Sequence, residues 1–83
     1  MILAKMTFDS SRIDEMAALV PHERDRVAEL RRAGELRALL LASDMSAAWL
    51  LFEATCVQQA KDLVATLPLA RFAEIELTEV MEG

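Results

Sequence analysis

With a single cysteine, Cys56, and a single histidine, His22, the sequence has no means of forming an internal disulfide or a cysteine–histidine metal centre. Its only glycines are Gly34 and Gly83, which leaves no glycine-rich loop to cradle a phosphate. Lys and Arg number 9 against 14 Asp and Glu, for a net charge of -5. Nucleic-acid binding depends on clustered cations releasing counterions from phosphates, so DNA and RNA are not expected partners. No apolar run approaches the roughly 20 residues that cross a bilayer. The segment from Met1 to Phe8 also lacks the basic flank and small-residue cleavage site of a signal peptide, and the expected location is the cytoplasm, with no membrane partner.

What the chain has in quantity is apolar side chains, 54% of 83 residues. A domain of this length hides only about 60 to 65% of the surface its unfolded chain exposes. That much apolar surface exceeds what one thin core requires, so a homodimer or higher homo-oligomer is expected. Residues 1 to 83 read as one domain, without repeats, linkers or low-complexity segments.

Met1 to Phe8 is a short apolar run closed by Asp9-Ser10-Ser11, a cluster suited to starting a helix, and reads as a first strand. From Ser11 to Ala33, the positions Ile13, Met16, Ala17, Val20, Val27 and Leu30 keep helical spacing, and Gly34 supplies the stop. Pro21 removes a backbone donor within that helix, so a kink or two abutting helices are expected there. Leu36 to Ala42 and Ala47 to Ala54 form a predicted hairpin around Asp44-Met45-Ser46, with apolar residues on both faces. Thr55 and Gln58 have capping-box spacing, after which Val57, Ala60, Val64 and Leu67 share one helical face. Leu67-Pro68-Leu69 ends that helix, and the alternating run from Phe72 to Val80 is the last strand.

Strand, helix, strand, strand, helix, strand is the α+β, ferredoxin-like βαββαβ pattern with a four-stranded antiparallel sheet. Two helices cover one face of such a sheet only. An apolar second face calls for another sheet packed on it, the dimeric α+β barrel arrangement.

Several polar residues stand out against this frame. Glu23 and Arg24 fall where the helical stripe of Ile13, Met16 and Val20 next turns inward. A carboxylate against apolar walls has its pKa pushed toward the range of a general base, and a neighbouring Arg can bind an anionic ligand. The alternative is that Pro21 rotates both side chains into water. Read by charge alone, the arginines of this helix, Arg24, Arg26, Arg31 and Arg32, interleave with Glu23, Asp25, Glu29 and Glu35 as an ion-paired, solvated face. Lys5 and Glu76 would be cross-strand neighbours, able to line a dimer cavity or simply to stabilise the sheet. His22 has the pKa range for proton transfer but occupies an ordinary surface position after Pro21. Trp49 can line a small-molecule pocket or pack in the core, and Cys56 reads as a small packed apolar side chain.

Three segments resemble the muconolactone delta-isomerase-like family. They are Glu23-Arg24 followed by Glu29-Leu30-Arg31-Arg32-Ala33-Gly34, then Trp49-Leu50-Leu51-Phe52-Glu53, and finally Leu67-Pro68-Leu69 with the acidic and aliphatic strand after it. The resemblance implies a dimeric α+β barrel and a cofactor-independent, metal-free isomerase acting on a small organic acid or lactone. Glu23 and Arg24 match the base and the carboxylate-binding cation that this chemistry needs, and the rest of the family's site does not carry over. From their own placement Lys5 or His22 is the candidate auxiliary donor, and Trp49 and Glu76 are the candidate ligand contacts beside Arg24. Where the family commonly shows Trp, His and Arg, this chain has Leu36, Ala38 and Leu41. That substitution leaves open a non-catalytic ligand-binding or assembly module on the same fold.

Overall fold

A computed structural model describes residues 1 to 83. Four strands, β1 (Ile2–Phe8), β2 (Leu36–Leu41), β3 (Ala47–Phe52) and β4 (Ala73–Glu79), alternate with two helices, α1 (Ile13–Arg32) and α2 (Val57–Ala65). The sheet order is β2-β3-β1-β4 and every neighbouring pair is antiparallel, which is the ferredoxin-like arrangement.

Asp9 closes β1 by accepting hydrogen bonds from the Ser11 backbone N–H at 3.0 Å and from its hydroxyl at 2.6 Å. The Ser10–Arg12 3-10 turn that follows feeds directly into α1. Of the two outcomes expected at Pro21, two abutting helices do not occur, because α1 runs as one helix from Ile13 to Arg32 with Pro21 inside it. Pro21 and Ala17 both lie on the exposed side, where the Ala17 carbonyl released by the missing donor is available to water. Leu30, after the proline, is buried in the core against the sheet, whereas Met16, before it, packs with Leu69 and Phe72. The stop at Gly34 occurs as expected. Its φ of 76° lies in the left-handed region, Glu35 N–H reaches the Leu30 carbonyl and Gly34 N–H that of Arg31, the paired bonds of a Schellman ending.

The hairpin turn is also as expected, with Asp44 accepting from the Ser46 N–H at 3.0 Å and hydroxyl at 2.6 Å. β2 carries a bulge that the sequence pattern does not reveal. Leu36 stands opposite Phe52 and Ala38 opposite Leu51, so Arg37 is the extra residue. Beyond the bulge the alternation is reset. Leu39 pairs with Leu50 and Leu41 with Ala48 on the helix-covered face, while Leu40 joins Trp49 on the other.

α2 begins one residue later than the expected capping box requires. Cys56 precedes the helix, exposed rather than packed, and Gln59, not Gln58, reaches back to the Thr55 N–H at 3.0 Å and hydroxyl at 3.1 Å. Gln58 instead donates to Asp62. Ala60, Val64 and Leu67 are buried as predicted, whereas Val57 remains 43% exposed. After Leu67 the chain makes a 3-10 turn, Pro68–Phe72, before entering β4.

Ile2, Ala4 and Met6 from β1, Ala48, Leu50 and Phe52 from β3, Leu30 from α1 and Val64 from α2 form one core between sheet and helices. No polar or charged residue is buried in it. The opposite face is uncovered and less uniform than the sequence suggests. Leu40, 66% exposed, and the half-buried Trp49 and Leu51 make its β2–β3 half apolar, while β4 presents Glu74 and Glu76 to solvent.

Candidate functional site

A pocket of about 280 Å³ opens between α1 and the helix-covered face of β2 and β3. Its walls come from a single chain and do not include the uncovered sheet face. α1 contributes Glu23, Arg24 and Arg31, and β2 with the hairpin turn contributes Leu39, Leu41 and Met45. Three of its fourteen lining residues are charged and the other eleven are apolar.

Glu23 is the half-buried acid of this pocket. Its Oε1 accepts the Leu69 backbone N–H at 3.0 Å, a bond spanning 46 positions in sequence. The local reason lies in the Pro68–Phe72 turn, whose first N–H groups lack partners within the turn. Proline has no N–H to offer, so Leu69 supplies the first donor, and Glu23 meets it from α1. The Leu67-Pro68-Leu69 segment therefore ends a helix and also anchors the carboxylate. Burial raises the Glu23 pKa above the 4.5 of a free side chain, and the Leu69 bond opposes that rise without cancelling it. The rotation of Glu23 into water, considered as an alternative above, does not occur.

Arg24 lies at the exposed rim of the same pocket, so these two neighbours in sequence are brought to one site. The ion-paired face expected around them is mostly absent. On α1 beyond the first turn only Arg26 meets an acid, Glu29, at 3.3 Å. Arg31, read from sequence as part of that face, lines the pocket instead. It sits seven residues after Arg24, nearly two helical turns, and so returns to the same side of the helix.

The other candidates are elsewhere. Lys5 lies between Trp49 and Glu76 in register, as the strand order predicts, and all three belong to the uncovered face, across the sheet from Glu23. Lys5 Nζ stands 5.8 Å from the Trp49 ring centroid, a cation–π contact, and makes no ion pair with Glu76. His22 is exposed on α1 and does not line the pocket. Of the positions where the resemblance places polar residues, Leu36 is in the core, Ala38 is on the uncovered face, and only Leu41 reaches the pocket. No group of three or more His, Cys, Asp or Glu side chains converges to hold a metal ion. No helix is long and apolar enough to cross a membrane.

Fold and pocket define a ferredoxin-like α+β protein with an ionisable carboxylate, its pKa raised, inside an apolar cleft. The chain belongs to the muconolactone delta-isomerase family, whose sequence profile matches residues 3–82, nearly the whole length. Comparison with curated proteins gives no significant match.

Proposed function

We propose that this protein is an isomerase of the muconolactone isomerase type, moving a proton between carbons of a small organic acid or lactone, with Glu23 as the base. The observation that carries this reading is the half-buried Glu23 carboxylate in an apolar pocket, its pKa raised by burial. A carboxylate in that setting takes a proton from a carbon next to a carbonyl more readily than one in water. The electron pair left behind delocalises into an enolate, the double bond shifts, and Glu23 returns the proton to a different carbon. Nothing is oxidised or reduced, so this step needs no redox partner. Arg24 at the rim balances the negative charge of the ligand and of the enolate.

Titration of Glu23 followed through its side-chain carboxyl carbon by NMR tests the assignment. A midpoint clearly above 4.5 is expected from its burial; a midpoint at or below that value removes the case for a base of raised pKa. The second reading, a ligand-binding or assembly module without catalysis, is favoured by the leucine and alanine at positions 36, 38 and 41. It predicts ligand binding by the wild type with no proton exchange into the ligand.

The apolar half of the uncovered face supports a homodimer in which two sheets pack together, with Lys5, Trp49 and Glu76 enclosed between them. The expected sedimentation mass is twice the 9.2 kDa of one chain. Leu40→Lys, which places a charge on the exposed apolar strand, is expected to shift the protein toward monomer without disturbing the core. A wild type that sediments as a monomer at high concentration overturns the dimer.

A further inference from the structure

We infer that the hydrogen bond between Arg26 and Thr66 is a positioning clamp, holding the Pro68–Phe72 turn on α1 so that the Leu69 N–H stays on the Glu23 carboxylate. It concerns the same carboxylate as the base under Proposed function and, as an aid to catalysis, rests on that reading. Two hydrogen bonds link α1 to the segment 66–72 that follows α2. Glu23 accepts the Leu69 N–H at 3.0 Å, and the Arg26 Nε–H donates to the Thr66 hydroxyl oxygen at 2.9 Å. Glu23 and Arg26 are three residues apart on the helix, and their partners, Leu69 and Thr66, are three apart in the opposite order. Residues at that helical spacing are neighbours on one face, about 4.5 Å apart along the axis. The two bonds are therefore adjacent rungs between the same two pieces of chain, and each limits how far the other can open.

Both ends of the clamp are themselves held. The Thr66 hydroxyl gives its one hydrogen to the Leu63 carbonyl at 2.6 Å, at the end of α2, which leaves its lone pairs to face Arg26. The Arg26 guanidinium also donates to Glu29 at 3.3 Å, which fixes its plane. The far end of the turn is tied where the Asp9 N–H meets the Phe72 carbonyl at 2.9 Å, and Thr66 ties the near end to α1. Leu67 and Leu69 are buried between these ties, but apolar burial is non-directional and does not aim an N–H. Neither Arg26 nor Thr66 lines the pocket, so they act on Glu23 only through Leu69. Around Glu23 the charged side chains are Arg24 and Arg31 of the same helix, and the strands and hairpin turn contribute only apolar side chains there.

Carboxyl-carbon NMR titration of Glu23 in two variants, together with amide hydrogen exchange, tests the clamp. Thr66→Val removes the acceptor without altering any charge, and Arg26→Met removes the donor while leaving the Thr66–Leu63 bond in place. In both, the Leu69 N–H is expected to exchange roughly tenfold faster or more, the scale of one charge-assisted hydrogen bond, while the β3 amides keep their protection. The Glu23 midpoint should rise above that of the wild type, because the Leu69 bond is what lowers it. Thr66→Ser, which keeps the hydroxyl, should keep both wild-type values. A purely structural role would lower stability and leave the midpoint where it is. An unchanged or lowered midpoint in either Thr66→Val or Arg26→Met, or the same rise in Thr66→Ser, overturns the inference. The two readings fail separately: a wild-type midpoint at or below 4.5 removes the base, whereas the clamp is judged on the differences between variants.

Discussion

Glu23→Gln is expected to reduce isomerisation of muconolactone, or of a related unsaturated ring acid, by roughly 10² to 10⁴-fold, the range supplied by a positioned general base. The fold should persist, because the glutamine Oε1 can still accept the Leu69 N–H that Glu23 accepts now. The wild type should show activity rising with pH as Glu23 ionises, with a midpoint above 4.5, and the variant should lose that limb. Stability has the opposite pH dependence. Because the native pKa is raised, the contribution of Glu23 to folding is complete below 4.5 and is lost as pH climbs through the native value. Removing the ionisable group removes that loss, so the variant should be at least as stable as wild type at neutral pH. Asp9 and Asp44, whose pKa values are lowered by bonds from Ser11 and Ser46, contribute with the other sign, and theirs is lost as pH falls. Steady-state assays with proton exchange monitored by NMR give the comparison. Undiminished turnover in Glu23→Gln, or none by the wild type on these compounds, would end the assignment.

The largest structural effect is expected from Phe52→Ala. Phe52 is 0% exposed and stands opposite both Ile2 and Leu36, at the centre of the core between sheet and helices. Emptying such a site costs about 3 to 5 kcal/mol, from lost transfer energy and an incompletely collapsed cavity. Total stability for a domain is about 5 to 15 kcal/mol, so much of the folded population is at stake. Urea unfolding followed by Trp49 fluorescence should show the midpoint falling steeply. Leu40→Ala, on the uncovered face, should shift it far less when the protein is kept dilute. Comparable losses for the two variants would contradict the one-sided core.

The muconolactone isomerase-like family and the order of elements were both legible in the residues, and Gly34 and Asp44-Met45-Ser46 mark their turns as read. Lys5 opposite Glu76 was likewise implied by the strand order and occurs in register. Glu23 was legible as a charge interrupting an apolar stripe. Arg31 was not, because a guanidinium on a helix with many acids has the same local pattern whether it meets an acid or borders a cleft. Gln58 and Gln59 illustrate a smaller error of the same sort, since a shift of one residue in the helix start changes which side chain reaches Thr55.

By itself the sequence determined which segments become strands and helices, since that depends on residue spacing and on a few turn residues. Only the tertiary structure decided the rest. The bulge at Arg37 sends Leu36, Ala38 and Leu41 to three different environments. The Pro68–Phe72 turn brings the Leu69 N–H to Glu23 across 46 positions, and the packing of α1 on β2 determines how far that carboxylate is removed from water. Periodicity is a local property of the chain. Hydrogen-bond partners and desolvation depend on what a distant segment places alongside, and it is desolvation that gives Glu23 its raised pKa.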